Sequence, residues 1–404
     1  MNNPKLRLKN VDGTIYDNWE EICFGDILEQ YSIKTKTNNE DVLLSCAIEG
    51  MFLNSELFSH QRASDNTGYL KIDKGTLVLS AQNLHLGNAN VNLRFDHGII
   101  SPAYKTFHLK GCIPEYMVQW VKRDRTKKFF FDATTTGASQ CRRNVEWETL
   151  YEQQMMLPSL PEQKAIADFL SLYDRKTEIQ IQVIEALEKR KRGFLQQIFS
   201  QEIRFKDESG NDFEDWETDE LNSFLFENKE RNKGNKFGKK DVLSVSKDYG
   251  VVNQIEYQGK SLAGNDLSNY HVVHSGNIVY TKSPLGKQPY GIIRASTMDG
   301  IVSTLYAVYY CKENILPELL DYYFSLDSTL NKYLKPLVNI GAKHDMKVSN
   351  EDAISGLVTL PTSMKEQQKI VDFFKTIDKQ IQVEKDKLEA IKNVKKGLLQ
   401  QMFV

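Results

Sequence analysis

The chain has 404 residues, 52 Lys+Arg against 54 Asp+Glu, a formal net charge of −2, and 40% hydrophobic with 26% charged residues. That length suffices for two domains of ordinary size, and the balance excludes bulk disorder and a uniformly basic surface, so a polyanionic partner has to meet local patches. No apolar run approaches a membrane span, MNNPKLRLKN lacks a signal-peptide core, and the five cysteines are scattered without C-x-x-C spacing, so the expectation is a cytoplasmic protein with reduced thiols.

Residues 1–157 read as a first module. Its landmarks are Arg7-Leu8-Lys9, Gly13, Trp19-Glu20, and the apolar run Thr76–Leu79, which predicts a strand. The loop after that strand carries Gln82, Asn83 and His85. Pro114–Lys122 predicts a helix with proline in its first turn, followed by a basic run with Lys122, Arg123, Arg125, Lys127 and Lys128. Near the module's end, Ser139, Gln140, Arg142 and Arg143 lie in a polar loop. Arg and Lys suit guanine edges and Gln and Asn suit adenine edges, so both loops are candidates for base reading, while the basic run is a candidate for phosphates.

Residues 158–200 predict a long helix. Ser159-x-x-Glu162 reads as a capping box, and no proline past the first turn, and no glycine before Gly193, interrupts the helix. Ile166, Leu170, Tyr173, Ile184, Leu187, Phe194 and Ile198 recur as a narrow seam of coiled-coil type. Lys191 interrupts the seam with a charge, a device that can fix register.

Residues 201–360 form the second module. Asn277–Tyr280 and Ile301–Tyr310 predict strands, and Pro317–Leu326 predicts a helix. The corresponding base-reading candidates are Lys282, Ser283, Lys287 and Gln288 in one loop and Lys343, His344 and Lys347 in the other. The phosphate candidates are Lys229, Arg231, Lys233 and Lys236. Residues 361–404 predict a second long helix with a capping box at Ser363-x-x-Glu366, Lys395 in its seam, and the apolar positions Ile370, Phe374, Ile377, Ile381, Leu388, Ile391, Leu398 and Met402.

The second half repeats the first. Ser159–Phe199 and Ser363–Phe403 align at a constant offset of 204 with 15 of 41 positions identical. Arg7 matches Arg204, Trp19 matches Trp216, Gly75 matches Gly276, Gly98 matches Gly300, and Pro114 matches Pro317, in preserved order. Between these anchors the residues differ almost completely, so two copies share a scaffold and present different loops. If a two-fold relates the modules, their helices pair antiparallel; the competing reading lays each helix along its own module.

Catalytic signatures are missing from the sequence. Gly286-Lys287 lacks the rest of a P-loop, and there is no H-E-x-x-H, no G-x-S-x-G and no Cys/His zinc spacing. His271 and His274 lie in a predicted strand or loop, without a metal-ligand pattern. The chain reads as a binding protein with no metal and no cofactor of its own.

Two variable modules, each followed by a helix that opens Pro161-Glu162-Gln163 or Lys365-Glu366-Gln367 and closes Gly193-Phe194-Leu195-Gln196-Gln197 or Gly397-Leu398-Leu399-Gln400-Gln401, resemble the specificity (S) subunit of a bacterial type I restriction–modification enzyme. The resemblance spans the full length. It implies an α+β fold: a tandem duplication of a mixed α/β target recognition domain and a long helix, the helices paired as an antiparallel coiled coil with pseudo-two-fold symmetry. It assigns target recognition domains to 1–157 and 201–360, and coiled-coil helices to 158–200 and 361–404. It further implies a bipartite site on double-stranded DNA, one half-site per domain, with the helices as spacer and platform for two modification (methyltransferase) subunits, joined by restriction (helicase-nuclease) subunits. S-adenosylmethionine, ATP and magnesium then belong to those partners. The rival expectation is a scaffold whose two modules bind proteins.

Overall fold

The structure, a computed structural model, describes residues 4–58, 65–139, 142–284, 288–340 and 346–404. The chain divides into two units, Met1–Gln182 with Asp386–Val404, and Val183–Lys385.

In the first unit the apolar run Leu77–Ser80 is buried along its whole length because it is the inner strand of an antiparallel sheet covered on both faces. Leu77 and Leu79 face a core with Phe107, Trp120 and Phe130, while Val78 faces a second cluster with Leu44, Ile72 and Ile100. The sheet order is Leu28–Tyr31, Tyr104–Leu109, Leu77–Ser80, Ala89–Val91. A separate antiparallel pair, Glu20–Cys23 with Gln154–Leu157, closes the module. Helices Pro114–Val121 and Asp124–Asp132 follow the sheet; the proline sits at the start of the first, where its missing N–H costs nothing.

The second unit repeats this topology. Its sheet runs Leu225–Glu227, Tyr306–Cys311, Ile278–Thr281, Ile292–Ala295, and the pair Glu217–Glu220 with Leu357–Leu360 closes it. Helices Pro317–Ser325 and Asp327–Leu334 stand where Pro114–Val121 and Asp124–Asp132 do. The single strand expected over Ile301–Tyr310 is two strands, Gly300–Val302 and Tyr306–Cys311. A turn in which the Tyr306 N–H donates to the Ser303 carbonyl at 3.1 Å moves the chain from the His271–Val273 partner to the main sheet. The glycine that starts this passage in each copy answers to close approach: a methyl on Gly98 would lie 2.4 Å from Leu44 Cδ1, and one on Gly300 2.5 Å from the Asp241 carbonyl.

Both long helices exist, Leu160–Phe199 with 40 residues and Met364–Met402 with 39. Each is about 60 Å long at 1.5 Å per residue. Their first turns correct the capping-box reading. Glu162 is fully buried and accepts from Arg7 Nε at 3.0 Å, Arg7 Nη2 at 2.7 Å and Trp19 Nε1 at 3.1 Å. Glu366 does the same for Arg204 at 3.2 and 3.0 Å and Trp216 at 3.1 Å. A half-buried guanidinium and a buried indole, which need this carboxylate as partner, outcompete a terminal backbone N–H. The next residue ties the helix to its module: Gln163 accepts from the Ile113 N–H and donates to the Gly111 and Pro158 carbonyls, and Gln367 treats Leu316, Asn314 and Pro361 alike.

Within each unit the two helices pack antiparallel. In the first, Ile166 and Leu170 share a core with Leu398 and Met402. In the second, Leu187, Phe194, Leu195 and Ile198 share one with Ile370, Phe374, Ile377 and Ile381. Tyr173, Leu388 and Ile391 are half-buried and Ile184 is buried. The seam lysines are ion-paired across the helices, Lys395 with Asp174 in the first unit and Lys191 with Asp378 in the second. These pairs are equivalent under the 204-residue offset with the roles of the helices exchanged. Each helix therefore packs on its module and on the other helix, and the two readings of the seam are both realised. Among the described residues, no helix is long and apolar enough to cross a membrane, and no group of three or more His, Cys, Asp or Glu side chains is placed to hold a metal ion.

Candidate nucleic-acid interface

In the first unit the strand Leu77–Ser80 ends in a tight turn whose N–H groups at Gln82 and Asn83 point to Ser80 Oγ, at 3.4 and 3.1 Å. This turn presents Gln82 and Asn83 to solvent and leaves His85 half-buried. His85 Nδ1 has no partner, and burial first, then the charge of Arg143, pushes its pKa down. Arg143, on the Thr134–Ser139/Arg142–Val145 hairpin, is thus near enough for its charge to act on His85 of the turn. Ser139 and Arg142 lie on the two strands of that hairpin, and Gln140 falls outside the described residues. Arg143 donates to Thr134 Oγ1 and the Thr134 carbonyl, both at 2.7 Å, and lies 4.2 Å from the Phe131 ring centroid. Its guanidinium braces the hairpin.

The basic run is split by the fold. Arg125 and Lys127 are exposed, Lys122 is half-buried, and Lys128 is exposed beside Asp132 at 2.9 Å. Lys127 also packs beside Gly87, close in sequence to the turn that carries Gln82 and Asn83. Arg123 is buried: its guanidinium donates to the Trp120 carbonyl, Thr126 Oγ1 and the Val404 carbonyl, and lies over Trp120 and Phe403. Loss of hydration lowers its pKa to about 10.

In the second unit two of the candidates, Arg231 and Lys282, lie by a buried histidine. Lys282 follows the strand Ile278–Thr281 and is half-buried, and desolvation lowers its pKa, with Glu227 opposing and Arg231 reinforcing. Arg231 bonds His271 Nδ1 across an isolated bridge, and burial, Arg231 and Lys282 hold the imidazole's pKa down at about 4. A neutral imidazole accepts the guanidinium N–H, so Arg231 and Lys282 belong to one cationic cluster. Ser283 is half-buried. Gln288 is buried, donates to Asp327 at 2.8 Å and keeps an unpartnered Oε1. Lys233 and Lys236 are exposed, and Lys229 is exposed at 3.8 Å from Glu227. Lys347 lies on the strand Met346–Lys347, and Lys287, Lys343 and His344 fall outside the described residues. His274, outside the cluster, bonds Glu230 at 2.8 Å.

Sequence reasoning passed over one feature of both sheets. In the second unit Phe226, half exposed at 49%, stacks on Tyr310 at 5.2 Å; in the first, Tyr31 stacks on His108 at 4.1 Å. His108 and Tyr310 occupy matching strand positions, and both stacks pair residues of neighbouring strands. Spacing along one strand gives no signal for a pair made across two.

Residues 16–189 match the family model described as the type I restriction modification DNA specificity domain. The type I restriction enzyme MjaVIII specificity subunit of Methanocaldococcus jannaschii is 23% identical over 401 residues, 95% of this chain and 91% of the relative. The putative MjaX specificity subunit of the same organism is 25% identical over 369 residues, 85% of this chain and 76% of the relative. Among solved structures, the type I S subunit from M. genitalium superposes with a TM-score of 0.52 at 15% identity, covering 100% of this chain and 99% of that one. A chain from a study of complex assembly and conformational transition of the type I R-M system gives 0.55 at 12% identity, covering 95% and 97%.

Proposed function

We propose, for a chain that belongs to the type I restriction–modification DNA specificity family, that each unit reads one half of a bipartite duplex site and that the paired helices set the spacing. The chain is a sequence-specificity subunit, and a specificity role is a binding role. One observation carries the finer reading: the two units share topology strand for strand, down to the Arg–Glu–Trp tie, and yet their loops after the inner strand share almost no residue. A scaffold held constant beneath divergent polar loops is what reading two different sequences requires.

The remaining assignments follow from that role. Methyltransferase subunits bring S-adenosylmethionine, restriction subunits bring ATP and magnesium, and two of the former dock on the helices. The complex works in the cytoplasm, where its DNA is. Gln82, Asn83, Lys282 and Ser283 are the described residues best presented for base edges; Arg125, Lys127, Lys233 and Lys236 are those best presented for phosphates. A protein-binding scaffold is not favoured, since no relative reported above is one.

Methylome sequencing of a strain with and without the gene tests this. The expected result is one interrupted motif, modified in the first strain and unmodified in the second. An unchanged methylome in a strain whose methyltransferase partner is expressed would refute the reading. The purified chain alone with S-adenosylmethionine is expected to leave DNA unmethylated.

A further inference from the structure

The first unit contains an open cleft of about 660 Å³ where the end of the second long helix meets the turn between Pro114–Val121 and Asp124–Asp132. Lys5, Lys122, Arg125, Lys392 and Lys396 line it, with Arg123 and Lys395 buried deeper. Among the described residues two side-chain carboxylates line the cleft, and both are engaged: Asp174 holds Lys395 and Gln119, and Asp124 lies 3.3 Å from Lys396. Lys392 is 2.8 Å from Glu389. Lys5, Lys122 and Arg125 have no counter-ion among the described residues. In a chain of net charge −2 this is a local concentration of cations, not a general property of the surface.

The repeat supplies an internal control. What the helix seam needs is kept in the second unit: Lys395 and Lys396 correspond to Lys191 and Arg192, and Asp174 to Asp378. What lines the cleft is not kept. Lys122, Arg123 and Arg125 correspond to Ser325, Leu326 and Ser328, while Lys5 and Lys392 correspond to Glu202 and Glu188. Fold and helix pairing therefore do not require the cleft's cations, because the same scaffold forms without them.

We propose that this cleft grips the phosphate backbone of DNA, an electrostatic anchor that the first unit has and the second lacks at the equivalent place. This rests on the DNA-specificity role proposed above and adds an inequality between the two units. Duplex DNA is favoured over an acidic protein by continuity: the helix Asp124–Asp132 carries Arg125 into the cleft and Lys127 against Gly87, close in sequence to the turn that carries Gln82 and Asn83. The ligand chemistry is a run of phosphodiesters, bound without regard to sequence.

The test uses the specificity subunit assembled with its modification subunits and a duplex carrying the methylated motif. Lys5→Gln, Lys122→Gln and Arg125→Gln remove charge from exposed or half-exposed side chains. Each is expected to reduce the slope of log K against log salt by about 0.9 and to weaken binding about fivefold at 0.15 M salt, equally for cognate and unrelated duplexes. The methylated motif stays the same. An unchanged slope in the triple variant overturns the proposal, as does loss of the modification subunits from the complex with the slope intact, which assigns the cleft to a protein. A wild-type complex without sequence preference would instead sink the specificity role itself, so the two failures are distinguishable.

Discussion

At the scale of single residues, the fold depends on a triad that occurs twice. Arg7 donates to Glu162 and to the carbonyls of Tyr16 and Asp17, and Trp19 donates to the same carboxylate. The hydrogen bond that Arg7 donates to Glu162, together with that carboxylate's charge, raises the Arg7 pKa, as Glu366 does for Arg204, so each guanidinium stays charged at any working pH. Removing one member of such a buried set leaves the others desolvated without a partner. Glu162→Ala is expected to cost about 3–5 kcal/mol, the range for breaking a buried ion pair, and Glu162→Gln less, because the amide keeps one acceptor. Urea unfolding checks the order, and hydrogen exchange should show the loss of protection beginning in the first unit; a cost below about 1 kcal/mol for Glu162→Ala would mean that water replaces the carboxylate.

At the scale of elements, the seam is where sequence and structure meet most closely. The apolar spacing and the matching places of Lys191 and Lys395 were legible in the sequence, since each is a property of one helix. Their partners Asp378 and Asp174 were not, because nothing along one helix says which turn of another lies opposite. The capping-box reading failed for the same reason: Ser159 and Glu162 are neighbours in sequence, whereas Arg7 and Trp19 lie 155 and 143 positions away from Glu162. Among the interface candidates, loop position was legible, but the bracing of Arg143 by Thr134 and the burial of Arg123 depend on packing that only the folded module supplies. Asp174 shows what the seam pair contributes. Lys395 keeps 12% of its side chain exposed, and burial lowers its pKa against the pull of Asp174. Asp174→Asn should leave that ammonium poorly compensated and destabilise the first unit by about 1–3 kcal/mol. The exchange Asp174→Lys with Lys395→Asp should recover part of the loss. If the single variant matches wild type in thermal unfolding, the pair does not hold the register.

At the scale of the molecule, each long helix begins in one unit and ends in the other, with the division at Gln182/Val183 in the first and Lys385/Asp386 in the second. Under the proposed function, these helices determine how far apart the two half-sites lie. A seven-residue insertion of seam-compatible sequence at both divisions preserves the apolar repeat, because a heptad returns each side chain to its face with a drift of about 20°. It adds about 10.5 Å of helix, close to three base pairs at about 3.4 Å each. Inserting into one helix alone would slide Lys395 past Asp174 or Lys191 past Asp378, so both must be lengthened together. The double insertion should keep both half-site sequences and require a spacer about three base pairs longer, read directly as the methylated motif in a strain expressing the variant. Methylation of the original spacer at full level would show that the helices do not measure the site, and the distance would have to be set by the recognition units themselves.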